Sequence, residues 1–169
     1  MRKAVVSAAV LLAASVPGPE PASAATPECA GLAGVRIPAS VMSLPTSGGI
    51  VTAASAGAYC RVDAELFPVD PAAPAIKLRV ALPRGWNHKA LMFGGGGFNG
   101  TIPDVTANVP FGPADRPAPL ARGYATFASD SGHQQNPASP PSLDGSFGMN
   151  DEALVNFAAG DALKKTRDA

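Results

Sequence analysis

The sequence predicts an α/β fold, on three observations. Tyr59–Phe67 and Ile76–Leu82 alternate apolar and polar residues with period two, as half-buried strands do. Leu91–Phe93 and Tyr124–Ala128 are short apolar runs, as expected of strands covered on both faces in the parallel part of a sheet. From Asp151 onward, apolar residues recur at helical spacing behind an N-cap candidate, Asn150.

The N-terminus comes first in chain order. Arg2 and Lys3 precede an apolar run from Ala4 to Val16, Pro17 to Pro21 break it, and Ala22-Ser23-Ala24 is a small-residue cleavage pattern. Residues 1–24 therefore read as a secretory signal peptide, too short in its apolar part to span a bilayer comfortably, with a retained membrane anchor as the alternative and the mature chain beginning near Ala25. Export to a secreted or periplasmic location follows, with no membrane attachment after cleavage. In an oxidising compartment the only two cysteines of the chain, Cys29 and Cys60, are expected to pair, although two unpaired thiols remain the alternative. The 169 residues carry 13 Lys and Arg against 13 Asp and Glu, so no net field points to nucleic acid. Two cysteines and two scattered histidines give no metal-ligand cluster.

Gly34–Ile37 and Val41–Leu44 are short strand candidates split by Pro38, and Thr46–Gly57 reads as a small-residue, turn-rich stretch. Tyr59–Phe67 puts Val62, Ala64 and Leu66 on one face, and Ile76–Leu82 does the same with Ile76, Leu78, Val80 and Leu82. Three prolines between them, Pro68, Pro71 and Pro74, predict an antiparallel pair with an irregular connection. Pro83–Asn87 is a turn in which Trp86 packs. Pro103–Pro119 is irregular. Leu120–Arg122 ends a short helix at Gly123, ahead of the Tyr124–Ala128 strand. Asn136–Met149 is a further loop. Asp151–Arg167 is a helix whose acidic first turn and basic end suit its dipole, with Gly160 costing about 1 kcal/mol inside it.

The stretch that carries chemistry is Gly94–Gly97, followed by Phe98, Asn99 and Gly100. No regular element accepts four consecutive glycines without entropic cost, unless positive φ angles or a bare backbone are needed. At the end of a buried strand, such a loop can aim N–H groups at an anion. It matches the glycine-rich loop after the third strand of α/β-hydrolases, which donates to the oxyanion. Gly95, Gly97 and Gly100 also satisfy G-x-G-x-x-G. That spacing is nearly automatic in such a run, and no Gly-Lys-Ser/Thr follows, so a nucleotide site rests on spacing alone. On spacing alone, a plain turn with no chemistry is the stronger option. After the next strand, Ser129–Gln134 places a serine, Asp130 and His133 within one loop. A catalytic triad needs side chains converging from separate parts of a fold, so a structural loop is expected, with Asp130 and His133 in site support as the second choice.

Together, Tyr59-Cys60-Arg61-Val62, Leu82-Pro83 with Trp86-Asn87, Gly94–Gly100, Gly123-Tyr124, Ser129–Gln134 and Glu152–Phe157 resemble the tannase and feruloyl esterase family. The resemblance covers the mature chain but only the N-terminal part of a family member. It implies an α/β-hydrolase domain that cleaves small phenolic esters of gallate or ferulate type, with a large inserted lid that often holds calcium. It also implies a serine nucleophile in a Cys-Ser-x-Gly-Gly elbow, followed by an acid and a histidine. None of these is present: there is no Cys-Ser pair and no histidine after His133. On this resemblance residues 25–169 are a truncated N-terminal portion with an incomplete sheet and no cofactor of their own. Backbone N–H groups of Gly95, Gly96 or Gly97 are the oxyanion donors, with Phe98 and Asn99 as possible support. Absence of turnover and poor solubility or partial folding are expected of the chain alone. The alternative is a small secreted binding or structural domain that uses the glycine loop for ligand contact.

Overall fold

The computed structural model describes residues 28–139 and 144–169. The segment expected to be a signal peptide, residues 1–24, lies outside these residues. Six strands form one sheet: β1 (Arg36–Ile37), β2 (Gly49–Ala56), β3 (Tyr59–Leu66), β4 (Ile76–Pro83), β5 (Ala90–Phe93) and β6 (Ala125–Ser129), in the order β1-β2-β3-β4-β6-β5. β1 through β4 and β6 pair antiparallel in turn, whereas β5 and β6 pair parallel. The mixed sheet, with the last helix (Asp161–Asp168) against one face, is the α/β class that the sequence predicts.

The period-two segments pair in the predicted way, with Val62 opposite Val80 and Ala64 opposite Leu78. Their inward residues Val62, Ala64, Leu66, Ile76 and Leu78 are buried with Val51, Met42 and Ala162 of the second helix. The other core lies on the far side of the sheet, where Val105 of the irregular segment packs with Ala81, Phe93 and Ala128. Cys29 and Cys60 form a disulfide with Cα atoms 5.7 Å apart, tying the N-terminal turn Cys29–Leu32 to β3.

Four elements differ from the sequence expectation. Gly49–Ala56 is a full strand rather than a turn, because β3 supplies an eight-residue pairing partner that the small side chains of β2 do not oppose. Ala39–Val41 is one turn of 3₁₀ helix rather than the start of a strand. β5 is not covered on both sides: it is the outer strand of the described sheet, and Leu91 and Met92 are only half-buried. The C-terminal helix is two helices, α1 (Asp151–Ala158) and α2 (Asp161–Asp168), separated at Gly160, which sits at φ +75°. Trp86 is also not a packing residue. It is 53% exposed, with its Nε1 donating to the Lys89 carbonyl.

The predicted N-cap is present, since the Asn150 side chain accepts from the Ala153 N–H at 3.0 Å. The next residues fasten α1 to the β3–β4 loop. Both Glu152 oxygens accept backbone N–H groups there, from Val69 and Asp70. The buried face of α1 carries Ala153 and Asn156, while Leu154 is 41% exposed. Asn156 accepts a hydrogen bond from the buried Lys165 ammonium of α2 at 2.9 Å, which locks the two helices together beneath the loop that follows β6.

Candidate active site

β5 and β6 run parallel, so their C-terminal ends lie on one rim of the sheet. Two loops leave that rim, Gly94–Gly100 after β5 and Asp130–Gln135 after β6, and they are tied to each other. Asn99 Nδ2 donates to the Ser129 carbonyl at 3.1 Å and to Ser131 Oγ at 2.7 Å. The Gln135 N–H donates to the Gly100 carbonyl at 3.0 Å. Two positions in the second loop lie in the left-handed region, Ser131 and Gly132, at φ +65° and +85°. A Cβ on Gly132 would sit 2.8 Å from Cβ of Asn156, so α1 presses directly against this turn.

The glycines of the first loop have different reasons to be bare. Gly97 and Gly100 adopt positive φ. At Gly95 a Cβ would overlap the Asn99 carboxamide, and at Gly100 it would meet the Gln135 backbone at 2.9 Å. Gly94 and Gly96 have neither reason: their φ angles lie outside the left-handed region, and open space surrounds the Cβ position. The fold around them, among the described residues, does not require glycine. No acceptor among the described residues takes the N–H groups of Gly95, Gly96 or Gly97, and all three residues are exposed.

Beneath the loop lies an aromatic cluster. Phe98 meets Phe147 and Phe157 edge-on at 6.0 and 6.1 Å between ring centroids. His133 stacks on Phe147 at 3.9 Å and meets Phe157 edge-on at 5.5 Å. The imidazole is buried, and its Nδ1 finds no partner among the described residues. Burial holds His133 below its ordinary pKa, opposed by the Phe98 carbonyl, the Asp144 carboxylate and the Ser131 carbonyl.

Asp130 faces the sheet. Its Oδ1 accepts from the N–H groups of Lys77 and Gly132, and its Oδ2 accepts from Gln134 Nε2. Burial raises its carboxyl to about 6 despite these three donors. The Asp130 carboxylate and the His133 ring are not bonded to each other, and Ser129 Oγ accepts from the Ser131 N–H. The loop after β6 is thus a scaffold rather than a nucleophile–base pair. Asn99 and Phe98 link the glycine loop to this turn and to the aromatic cluster that holds His133, whereas the Asp130 carboxylate contacts β4 and its own turn.

Sequence reasoning missed Phe147, which sits in a stretch taken as a plain loop. Asp144 accepts from both Ser146 N and Ser146 Oγ and from the Asn136 N–H, which folds that loop back so that Phe147 reaches His133. The Asp-Gly-Ser sequence at Asp144–Ser146 is the turn signal that could have revealed it.

Fold and rim together define an α/β protein with a donor-rich glycine loop at the carboxyl ends of its parallel strands, where sites in this class are found. A model of the tannase and feruloyl esterase family matches residues 60–169. The chain belongs to that family. It is similar to an uncharacterised esterase of Agrobacterium fabrum, 45% identical over 139 residues, which cover 76% of this chain and 24% of that protein. It is also similar to mono(2-hydroxyethyl) terephthalate hydrolase of Piscinibacter sakaiensis, 31% identical over 111 residues, covering 63% of this chain and 18% of the other. Among solved structures, feruloyl esterase B of Aspergillus oryzae matches with a TM-score of 0.40 at 24% identity, covering 75% of this chain and 20% of that one. The chain spans about a quarter or less of the length of these curated relatives.

Proposed function

We propose that residues 25–169 supply the oxyanion-binding portion of a secreted serine esterase that acts on esters of phenolic acids, of gallate or ferulate type. The observation that carries this reading is Gly96. Its N–H has no acceptor among the described residues, its side is open, and the surrounding fold gives it no reason to be glycine. A bare amide on this rim suits a carbonyl oxygen that gains negative charge as the ester is attacked. Such a donor contributes roughly 3 kcal/mol to the transition state. Gly97 is the neighbouring candidate, and Gly95 is the third. The family is named for tannase and feruloyl esterase, and one relative is named for hydrolysis of a terephthalate ester. These names favour an aromatic acid as the acyl group. The disulfide supports an oxidising compartment, and the residues before Ala25 carry the export signal.

The nucleophile, its base and the orienting acid are assigned to sequence outside these 169 residues, since no Cys-Ser pair occurs in them. The purified polypeptide is therefore expected not to hydrolyse methyl gallate or methyl ferulate, and clear turnover would overturn that assignment. The donor role is tested in a chimera in which residues 28–169 replace the matching N-terminal segment of the Agrobacterium esterase. Gly96→Ala in that chimera keeps the N–H but places a methyl group in the open space where the ester carbonyl would approach, so it is expected to lower kcat/KM about tenfold or more by crowding. Full activity of the variant would end the oxyanion assignment.

A further inference from the structure

We propose that Asn99 is the positioning residue of the glycine loop: its carboxamide fastens Gly95–Gly97 to the turn after β6 and so sets the direction of their amides. The purpose given to those amides rests on the oxyanion reading above; the fastening itself rests on geometry alone.

The loop has few other restraints. The Asn99 N–H donates to the Gly96 carbonyl at 3.0 Å, closing a turn in which Gly97 and Asn99 both have positive φ. That turn holds the loop's shape but not its place on the sheet. Beyond the Gln135 N–H bond to the Gly100 carbonyl and the packing of Phe98, which hold the loop's far end, place comes from the Asn99 side chain. Nδ2 is shared between the last carbonyl of β6, that of Ser129, and the hydroxyl of Ser131. Oδ1 lies in the space that a Cβ on Gly95 would occupy, so the same carboxamide contacts both ends of the loop.

The anchor is itself rigidly indexed. Asp130, between the two residues that Asn99 grips, exchanges hydrogen bonds with Lys77 of β4 in both directions: its N–H donates to the Lys77 carbonyl, and its Oδ1 accepts the Lys77 N–H. Asn156 of α1 closes the turn from below at Gly132. A path of hydrogen bonds and main chain therefore runs from β4 through Asp130, Ser131 and Asn99 to the Gly96 carbonyl. A donor group must be held within fractions of an ångström to be worth its full effect, and four glycines cannot do this unaided.

Two substitutions separate the strut from the simpler role of a residue that tolerates the left-handed region. Asn99→Gly keeps the backbone unstrained and removes the carboxamide. Asn99→Asp keeps the side-chain shape and Oδ1 but removes both donations from nitrogen. In ¹⁵N-labelled chain carrying Ala90→Lys, a charge on the exposed edge of β5 that opposes self-association, both variants are expected to broaden or shift the amide signals of Gly95, Gly96 and Gly97 and lower their heteronuclear NOE, while signals of β3 and β4 stay in place. Ser131→Ala, which leaves the Ser129 carbonyl as acceptor, is expected to give a smaller change. If Asn99→Gly leaves the three glycine amides unchanged, the proposal is overturned and Asn99 is only a turn residue. In the esterase chimera, Asn99→Gly is expected to lower kcat roughly tenfold to a hundredfold at nearly constant KM. Loosened amides with undiminished kcat would keep the strut and remove the oxyanion reading.

Discussion

Asp130 and His133 lie three residues apart in one buried loop, yet burial pushes them in directions with opposite consequences. Asp130 holds its proton up to about 6 in the folded chain, against an ordinary value of 3.8. Between those values the folded state binds more protons than the unfolded one, so stability is highest below about pH 4 and falls as pH rises to about 6. The drop is on the order of 2–3 kcal/mol. His133 is held below its ordinary 6.5, so the unfolded state takes the proton first and stability falls as pH drops below that value. The two effects oppose each other in the wild-type chain, and single variants separate them. Asp130→Asn keeps an oxygen for the Lys77 and Gly132 N–H groups and cannot ionise. Urea unfolding from pH 4 to 7 is expected to show the variant gaining about 2–3 kcal/mol on the wild type across that range; a constant difference would show that the carboxyl is not perturbed. His133→Gln is expected to show the reverse, losing relative stability as pH rises towards 7, and an unchanged difference over the same series would count against a neutral buried imidazole. The sequence marks both residues as a loop with a supporting role, because an acid and a histidine after a strand attract attention. It does not disclose that Asp130 serves β4 or that His133 lies on Phe147, since both contacts depend on residues far away in the chain.

Elements with a strong period were legible and those without one were not. β3 and β4 declare themselves through alternation of full-sized apolar residues with charges. β2 has the same length but is mostly alanine, serine and glycine, so its face contrast is weak, and only pairing with β3 makes it a strand. β5 reads as doubly buried because three apolar residues in a row carry no information on which neighbours are present. The α1–α2 joint shows the same limit in a helix. Gly160 breaks the run because it takes φ +75°, ending α1 and starting α2. A Cβ there would meet only Leu163 Cδ1, at 4.0 Å, so the cost of substitution is backbone strain alone. Gly160→Ala is expected to destabilise the chain by about 1–2 kcal/mol in chemical denaturation. A stabilising effect would mean that the break is incidental and the segment prefers one helix. The disulfide is the opposite case: Cys29 and Cys60 pair as expected of the only two cysteines of the chain. Its cysteines are separated by 31 positions, so Cys60→Ala together with Cys29→Ala is expected to cost about 3–4 kcal/mol, measured in the same experiment.

At the scale of the whole molecule, the outer edge of the described sheet decides behaviour in solution. β5 offers its outward N–H and C=O groups with no neighbour among the described residues. Beside it, Ala90, Met92 and Phe127 form an open apolar hollow with Leu163 of α2. An exposed strand with an apolar flank is a template for pairing with another chain. Opposing this, the edge is only four residues long, and Lys164 and Arg167 stand at the rim of the hollow. Short length and nearby charge are devices that blunt edges, but these charges sit on the helix rather than on the strand. The apolar hollow and the open ladder lie side by side, so association gains from both at once, and the chain is expected to self-associate at micromolar concentration. Ala90 is exposed at the start of β5 and contributes nothing to either core, so Ala90→Lys puts a charge on the edge without opening a cavity. Sedimentation velocity should find oligomers in the wild type and a larger monomer fraction in Ala90→Lys, with far-UV circular dichroism unchanged. A wild-type monomer that melts sharply and reversibly would show that the edge is already satisfied, and the charge would then have nothing to suppress.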